Sequence, residues 1–229
     1  MKASSPSTAR TAAAQDAPQT SAQILDVAER LAQTRGFNGF SYADIAAELG
    51  ITKASLHYHF PSKAELGRAL IDRYSTRFGA ALAGLEQSGA AAPAQLERYV
   101  AIYGDVLKGG RICLCGMLAA EYTTLPAGMQ DAIRGFFDMN ERWLARLLGA
   151  GRAAHTLDFD GTAQGAARNI TAALEGAMLL ARPYGDGSRF AAAADRLLRD
   201  FAPATERPAR TVTRGNASKS KAAPRKRAK

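Results

Sequence analysis

Between Ser41 and Glu65 the chain carries helix-start and helix-stop signals in close succession, and they leave little freedom in the local fold. Ser41 is an N-cap residue, and Asp44 three positions on favours the positive end of a helix. Ile45, Ala46 and Leu49 then share one apolar face before Gly50 stops the helix. Only Ile51 separates Gly50 from Thr52, a second N-cap, so the next helix starts at once and crosses its predecessor steeply. That helix, Lys53 to about His59, ends where Pro61 disfavours helical geometry at Phe60. Ser62 to Glu65 is a capping box that opens a further helix. Upstream, Ile24, Val27, Ala28, Leu31 and Ala32 form one face of a helix predicted over Thr20–Arg35, with Gly36 as its stop. This is the pattern of a helix-turn-helix braced by a helix on either side, with Leu56 and Phe60 packed opposite Ile45 and Leu49.

The remainder also reads as helix, because apolar residues recur at spacings of three and four and strand-like alternation is absent. A helix from Lys63 towards Leu85 is broken around Gly89 to Pro93. Others are predicted over Ala94–Lys108, after Cys115, after Pro126 to about Leu148, over Asp160–Ala181 and over Ser188–Phe201. The fold class is all-α. With 229 residues, 47% of them hydrophobic, the chain can bury a sizeable core. No window approaches the roughly 20 apolar residues that span a bilayer, and no signal peptide is expected. The formal charge of +9 is unevenly placed: nine basic residues from Arg207 to Lys229 face the single acid Glu206, leaving residues 1–202 almost neutral. The tail is expected to behave as a flexible polycation with salt-sensitive affinity for phosphate, or as a solvated end with no role.

From Gly36 to Leu66 the sequence GFNGFSYADIAAELGITKASLHYHFPSKAEL closely resembles the DNA-binding domain of the TetR/AcrR regulators. At motif level the resemblance covers about residues 20 to 75, and beyond them it lies in pattern alone. Many members carry Tyr-x-Tyr-Phe where this chain has His57-Tyr58-His59-Phe60. The resemblance implies a cytoplasmic, sequence-specific regulator, a repressor released from double-stranded operator DNA by a small-molecule effector, acting as a homodimer without a membrane partner. The expected division is a 1–18 disordered arm, a 19–65 helix-turn-helix domain, a 66–202 effector-binding and dimerisation domain, and a 203–229 basic tail. A short helix presents its first residues to base edges in the major groove. Thr52, Lys53 and Ser55 therefore face bases or backbone, and Tyr42 and Lys63 are placed to grip flanking phosphates. The resemblance adds His57, Tyr58 and His59, although packing is an equal reading for the two histidines. The last two helices, rich in Ala and Gly, suit a dimer interface, since a two-fold operator is read by recognition helices about 34 Å apart.

Cys113 and Cys115 follow a Gly-Gly break beside Lys108 and Arg111, at the start of a helix, a setting that lowers thiol pKa. Exposed, they would make a thiol-based sensor attacked by an electrophile or oxidant; buried, they would be small apolar groups. A metal site is short of ligands, because only His155 lies outside the DNA-binding motif. Tyr103, Met117, Tyr122, Phe137, Trp143, Asn169 and Met178 are candidates for lining an effector pocket, with Asn169 the polar one near an apolar face. No cofactor is called for. The chain has no Gly-x-Ser-x-Gly elbow, phosphate loop, His-Glu-x-x-His pattern or dinucleotide fingerprint, so an enzyme is not expected.

Overall fold

The computed structural model describes the backbone of residues 7–203 and the side chains of residues 18–203; most of the basic tail lies outside these. Every regular element among the described residues is helical. The head comprises α1 (Ser7–Arg35), α2 (Tyr42–Leu49) and α3 (Lys53–His59). Helix α4 (Lys63–Gln87) leads into a body of α5 (Ala92–Lys108), α6 (Leu114–Ala120), α7 (Ala127–Ala153), α8 (Ala163–Ala181) and α9 (Gly187–Phe201).

Helices α6 and α7 differ from the sequence expectation too, starting at Leu114 and running on to Ala153, and three other boundaries differ for a local reason. Helix α1 starts at Ser7 rather than Thr20, because the Ala-rich stretch before Pro18 favours helix without carrying an apolar stripe. The helix crosses Pro18 with one i to i−4 bond missing. Helix α5 takes Pro93 into its first turn, where a missing N–H costs nothing. Helix α8 starts later than Asp160, after Thr162 caps it by accepting from the Gly165 N–H at 3.0 Å. Short 3-10 turns at Tyr122–Thr124 and Arg182–Tyr184 carry no periodic signal and were not expected.

Helix α4 ties the two parts together. Its Leu66, Leu70 and Ile71 are fully buried, with Ile24, Leu31, Ile45 and Leu56 as the buried centre of the head. Further along, Tyr74 and Phe78 pack against Phe136 of α7, tilted and edge-to-face, at ring separations of 5.5 and 5.2 Å. Each such aliphatic or aromatic side chain contributes about 1.5–3 kcal/mol on burial. Charge reinforces the junction: the nearly buried Glu29 of α1 takes Arg73 at 2.9 Å and also Arg77 of α4. In the body, α7 packs on α8 and α4, and α8 packs on α9.

Candidate nucleic-acid interface and the body behind it

The head is built from short-range contacts. The Asp44 carboxylate accepts from the N–H of Ser41 at 2.7 Å and from its hydroxyl at 2.6 Å, and these bonds hold its pKa below the usual carboxylate value. Gly50 closes α2 in the left-handed conformation at φ 65°, its N–H bonded to the Ala46 carbonyl. Thr52 caps α3, its hydroxyl oxygen accepting from the Ser55 N–H at 3.1 Å. Leu56 alone of α3 is buried. Lys53, His57 and Tyr58 project into solvent, Tyr58 with 79% of its surface exposed, while Ser55 and His59 are half-buried.

A hollow of about 350 Å³ lies between the start of α2 and α3, and its lining brings together Ser41, Tyr42, Lys53, His57 and Lys63. Two of these are engaged internally. The buried Tyr42 hydroxyl donates to the Phe60 carbonyl at 2.7 Å, and burial, with Glu65 nearby, pushes its pKa up to about 12. Its single donor is therefore spent on joining α2 to the end of α3. The expectation that it grips a phosphate is corrected. Lys63 donates to the carbonyls of Phe37 and Phe40 and lies over both their rings, 4.6 and 4.5 Å from the centroids. Burial lowers its pKa, and one of its three N–H groups remains for an outside acceptor. His57 packs at a tilt against Tyr42, ring centroids 4.8 Å apart, and places Nδ1 3.2 Å from the Pro61 carbonyl.

The body holds the head by its α1–α2 turn. Gly36 adopts φ 85°, and a Cβ there would lie 2.5 Å from Glu121 Oε1. The Glu121 carboxylate, just past α6, accepts from the N–H of Phe37 at 2.7 Å and of Asn38 at 3.3 Å, and Asn38 donates to Thr124 at 2.8 Å.

Within the body the effector candidates part company. Cys113 and Cys115 are buried, and desolvation, with Glu175 close by, pushes both thiols well above their ordinary pKa. The expectation of a lowered thiol pKa is corrected: Cys113 caps α6 but faces inward, its Sγ accepting from the Tyr74 hydroxyl at 3.7 Å. Tyr103, Met117, Trp143 and Met178 are core, and Phe137 is half-buried against Phe136. Tyr122 belongs to the outer 3-10 turn, where its hydroxyl pairs with Arg134. Asn169 is exposed, one position out of phase with the buried Ile170, and is no lining residue.

Of the polar groups that reach the core, Tyr103 and Trp143 are among the sequence candidates, whereas Asn140, Tyr99 and Glu175 are not. Asn140, fully buried, accepts from Tyr99 at 3.2 Å and donates to the Phe136 carbonyl at 2.9 Å; the Tyr99 and Tyr103 hydroxyls lie 3.1 Å apart. Trp143 stacks on Tyr99 at 5.5 Å with its indole N–H sealed and unpartnered. Glu175 Oε1 is likewise sealed without a hydrogen bond, and burial raises that carboxyl to about 7. Its other oxygen rests on Gly116, where a Cβ would come within 2.1 Å. The available sequence signal was a lone acid, four residues after Thr171, on the apolar side of α8.

An exposed short helix set at a tight turn, on a three-helix head clamped by a larger helical body, is the arrangement of a helix-turn-helix DNA-binding protein. Residues 24–70 match the model of the bacterial regulatory proteins of the tetR family, and residues 92–197 match a tetracyclin repressor-like C-terminal domain. The transcriptional regulator AcuR of Cereibacter sphaeroides is 30% identical over 152 residues, 65% of this chain and 69% of its own. TtgR of Pseudomonas putida is 43% identical over 58 residues, covering 25% of this chain and only 28% of TtgR. The crystal structure of a TetR family regulator from Agrobacterium tumefaciens superposes with a TM-score of 0.78 at 34% identity, covering 81% of this chain and 99% of that one. The chain belongs to the TetR family of DNA-binding transcriptional regulators, which are not enzymes. No helix among the described residues is long and apolar enough to cross a membrane.

Proposed function

We propose that the chain is a repressor that reads a two-fold operator through α3 and leaves it when a small molecule occupies the body. The observation that carries this reading is the exposure of Lys53, His57 and Tyr58 on a seven-residue helix whose only buried side chain is Leu56. A tyrosine left 79% exposed gives the fold little and offers a partner a large amphipathic surface. The hollow beside it suits a backbone phosphate, held by Lys53, by the remaining N–H of Lys63 and by the first turn of α2. Thr52 can donate its hydroxyl proton while its oxygen accepts from Ser55, and Ser55 and His59 stand at the margin of the same face.

Two-fold reading needs two copies. Leu179 and Leu180, at the end of α8, and Tyr184 in the turn before α9 are large apolar side chains exposed by 50, 66 and 63%. They support a dimer face on α8 and α9. Leu180→Asp is expected to give a monomer in sedimentation and to abolish operator retention.

The deciding experiment is retention of the DNA upstream of its own gene, with unrelated DNA as competitor and salt varied. Wild-type protein should give a dimer-sized complex. Lys53→Ala with Tyr58→Ala should weaken it on the order of a hundredfold or more, given about 1–3 kcal/mol per specific contact. Equal competition by all DNA would sink the specific-repressor reading. The buried, high-pKa thiols favour a reversible effector over covalent sensing, so replacing Cys113 and Cys115 by Ser should leave the effector response intact.

A further inference from the structure

A groove of about 720 Å³ runs between the C-terminal end of α5 and the turn joining α8 to α9, apart from the aromatic core and from the hollow on the head. Leu107, Ile112 and Phe190 supply its apolar wall, and Arg111 and Arg182 stand over it with Lys108. The local acids are occupied. Asp105 pairs with Lys108 at 2.8 Å, and Asp186 caps α9 by accepting from the Ser188 N–H at 2.9 Å, with Arg189 3.9 Å away. Neither Arg111 nor Arg182 has a carboxylate within ion-pair distance among the described residues. Both instead reach neutral acceptors, and both reach into the head: Arg111 donates to Gln33 Oε1 at 3.4 Å, and Arg182 donates to the Thr34 carbonyl and to Met117 Sδ at 3.7 Å.

Gln33 and Thr34 lie in the last turn of α1, whose carbonyls lack helical partners and where a cation is favoured by the helix dipole. A guanidinium bonds a carboxylate through two parallel charge-assisted contacts, roughly twice as strong as bonds to neutral oxygens. We propose that this groove is a binding site for a small organic carboxylate with a short hydrocarbon body. Its carboxylate is taken by Arg111 and Arg182 and its chain lies on Leu107, Ile112 and Phe190. Occupation draws the two arginines off the end of α1 and weakens the grip of body on head. The site is of ordinary ligand size. The coupling half of the proposal rests on the repressor reading above, and linkage requires the effect to be reciprocal: operator DNA weakens carboxylate binding by the factor by which carboxylate weakens DNA binding.

The test is calorimetric titration of the full chain, without DNA, with octanoate, octylammonium and octanol. Octanoate should bind saturably, one per chain, while octanol and octylammonium bind at least tenfold more weakly. Arg111→Gln with Arg182→Gln should lose tenfold or more in octanoate affinity, whereas the same two positions changed to Lys should retain most of it. Equal binding of all three probes, no saturable octanoate binding, or an unchanged affinity in the Gln pair with a native helical spectrum would overturn the site. Adding octanoate to the operator complex tests the coupling: release supports it, and undiminished retention alongside calorimetric binding overturns the coupling while the site stands. If the wild-type chain retains no operator, the repressor reading fails and the titration still decides the groove.

Discussion

The head and the body treat polar groups in opposite ways. In the head, the polar groups around the α2 and α3 caps are bonded close by: Asp44 to Ser41, Thr52 to Ser55, Tyr42 to Phe60, Lys63 to the carbonyls of Phe37 and Phe40. In the body, the indole N–H of Trp143 and one oxygen of Glu175 are buried with no partner. A satisfied set of short bonds fixes one geometry, as a surface that must match DNA requires. An unsatisfied buried group costs about 1–3 kcal/mol and leaves a reason to rearrange or to bind. Removing a polar group should therefore weaken the head and, at Glu175, strengthen the body.

The largest effect is expected at Glu175. Its carboxyl titrates at about 7 in the folded chain against an ordinary 4.5, so folding favours the protonated form. That contribution is fully present below about pH 4.5 and is lost as the pH rises through about 7. Glu175→Gln is neutral throughout, so its stability relative to wild type should climb by about 3 kcal/mol between pH 4 and pH 8. Denaturant melts at both pH values measure this. A constant difference would mean that the Cys113 thiol, which already bonds this carboxyl, compensates the ionised form for its burial, and the contrast between the regions would narrow.

Next comes Lys63→Met, which keeps the stem over the Phe37 and Phe40 rings but strands the two carbonyls that the ammonium holds. A loss of about 2 kcal/mol is expected, seen as a lower midpoint and faster amide exchange in the α1–α2 turn. Glu121→Gln probes the boundary between the regions. The neutral amide keeps one acceptor for the Phe37 N–H but forfeits the charge assistance, so about 1 kcal/mol should be lost, with exchange at Phe37 and Asn38 accelerated. Unchanged exchange there would show that the body does not hold the head through this carboxylate.

The same division explains what could be read from sequence. Caps and stops act over three or four residues, so Ser41, Gly50, Thr52 and Ser62 reveal the head without knowledge of anything distant. Tyr42 was misread because its partner, the Phe60 carbonyl, sits eighteen residues away on another element. Asn169 was misread through phase: it adjoins Ile170 in sequence but lies about 100° round the helix, outside the stripe formed by Ile170, Leu174 and Met178. Asn140 is the buried amide, and Glu175 escaped notice because an acid on a helix ordinarily faces water. The groove at Arg111 and Arg182 joins segments far apart in the chain, and no local pattern announces such a meeting.

An equally small effect tests the head at one of its most local bonds. Thr52→Ala removes the oxygen that accepts from the Ser55 N–H, and cap losses of this kind are worth about 1 kcal/mol. Thr52→Ser keeps the oxygen and should melt with wild type. Measuring both without DNA isolates the cap from any phosphate contact the hydroxyl makes. If Ala melts lower and Ser does not, a later difference between Ser and wild type on operator DNA belongs to the interface alone. If Ala and wild type melt together, α3 is held by Leu56 and the Tyr42–Phe60 bond without its cap, and the geometry of the recognition helix is set by packing instead of by the short bonds around it.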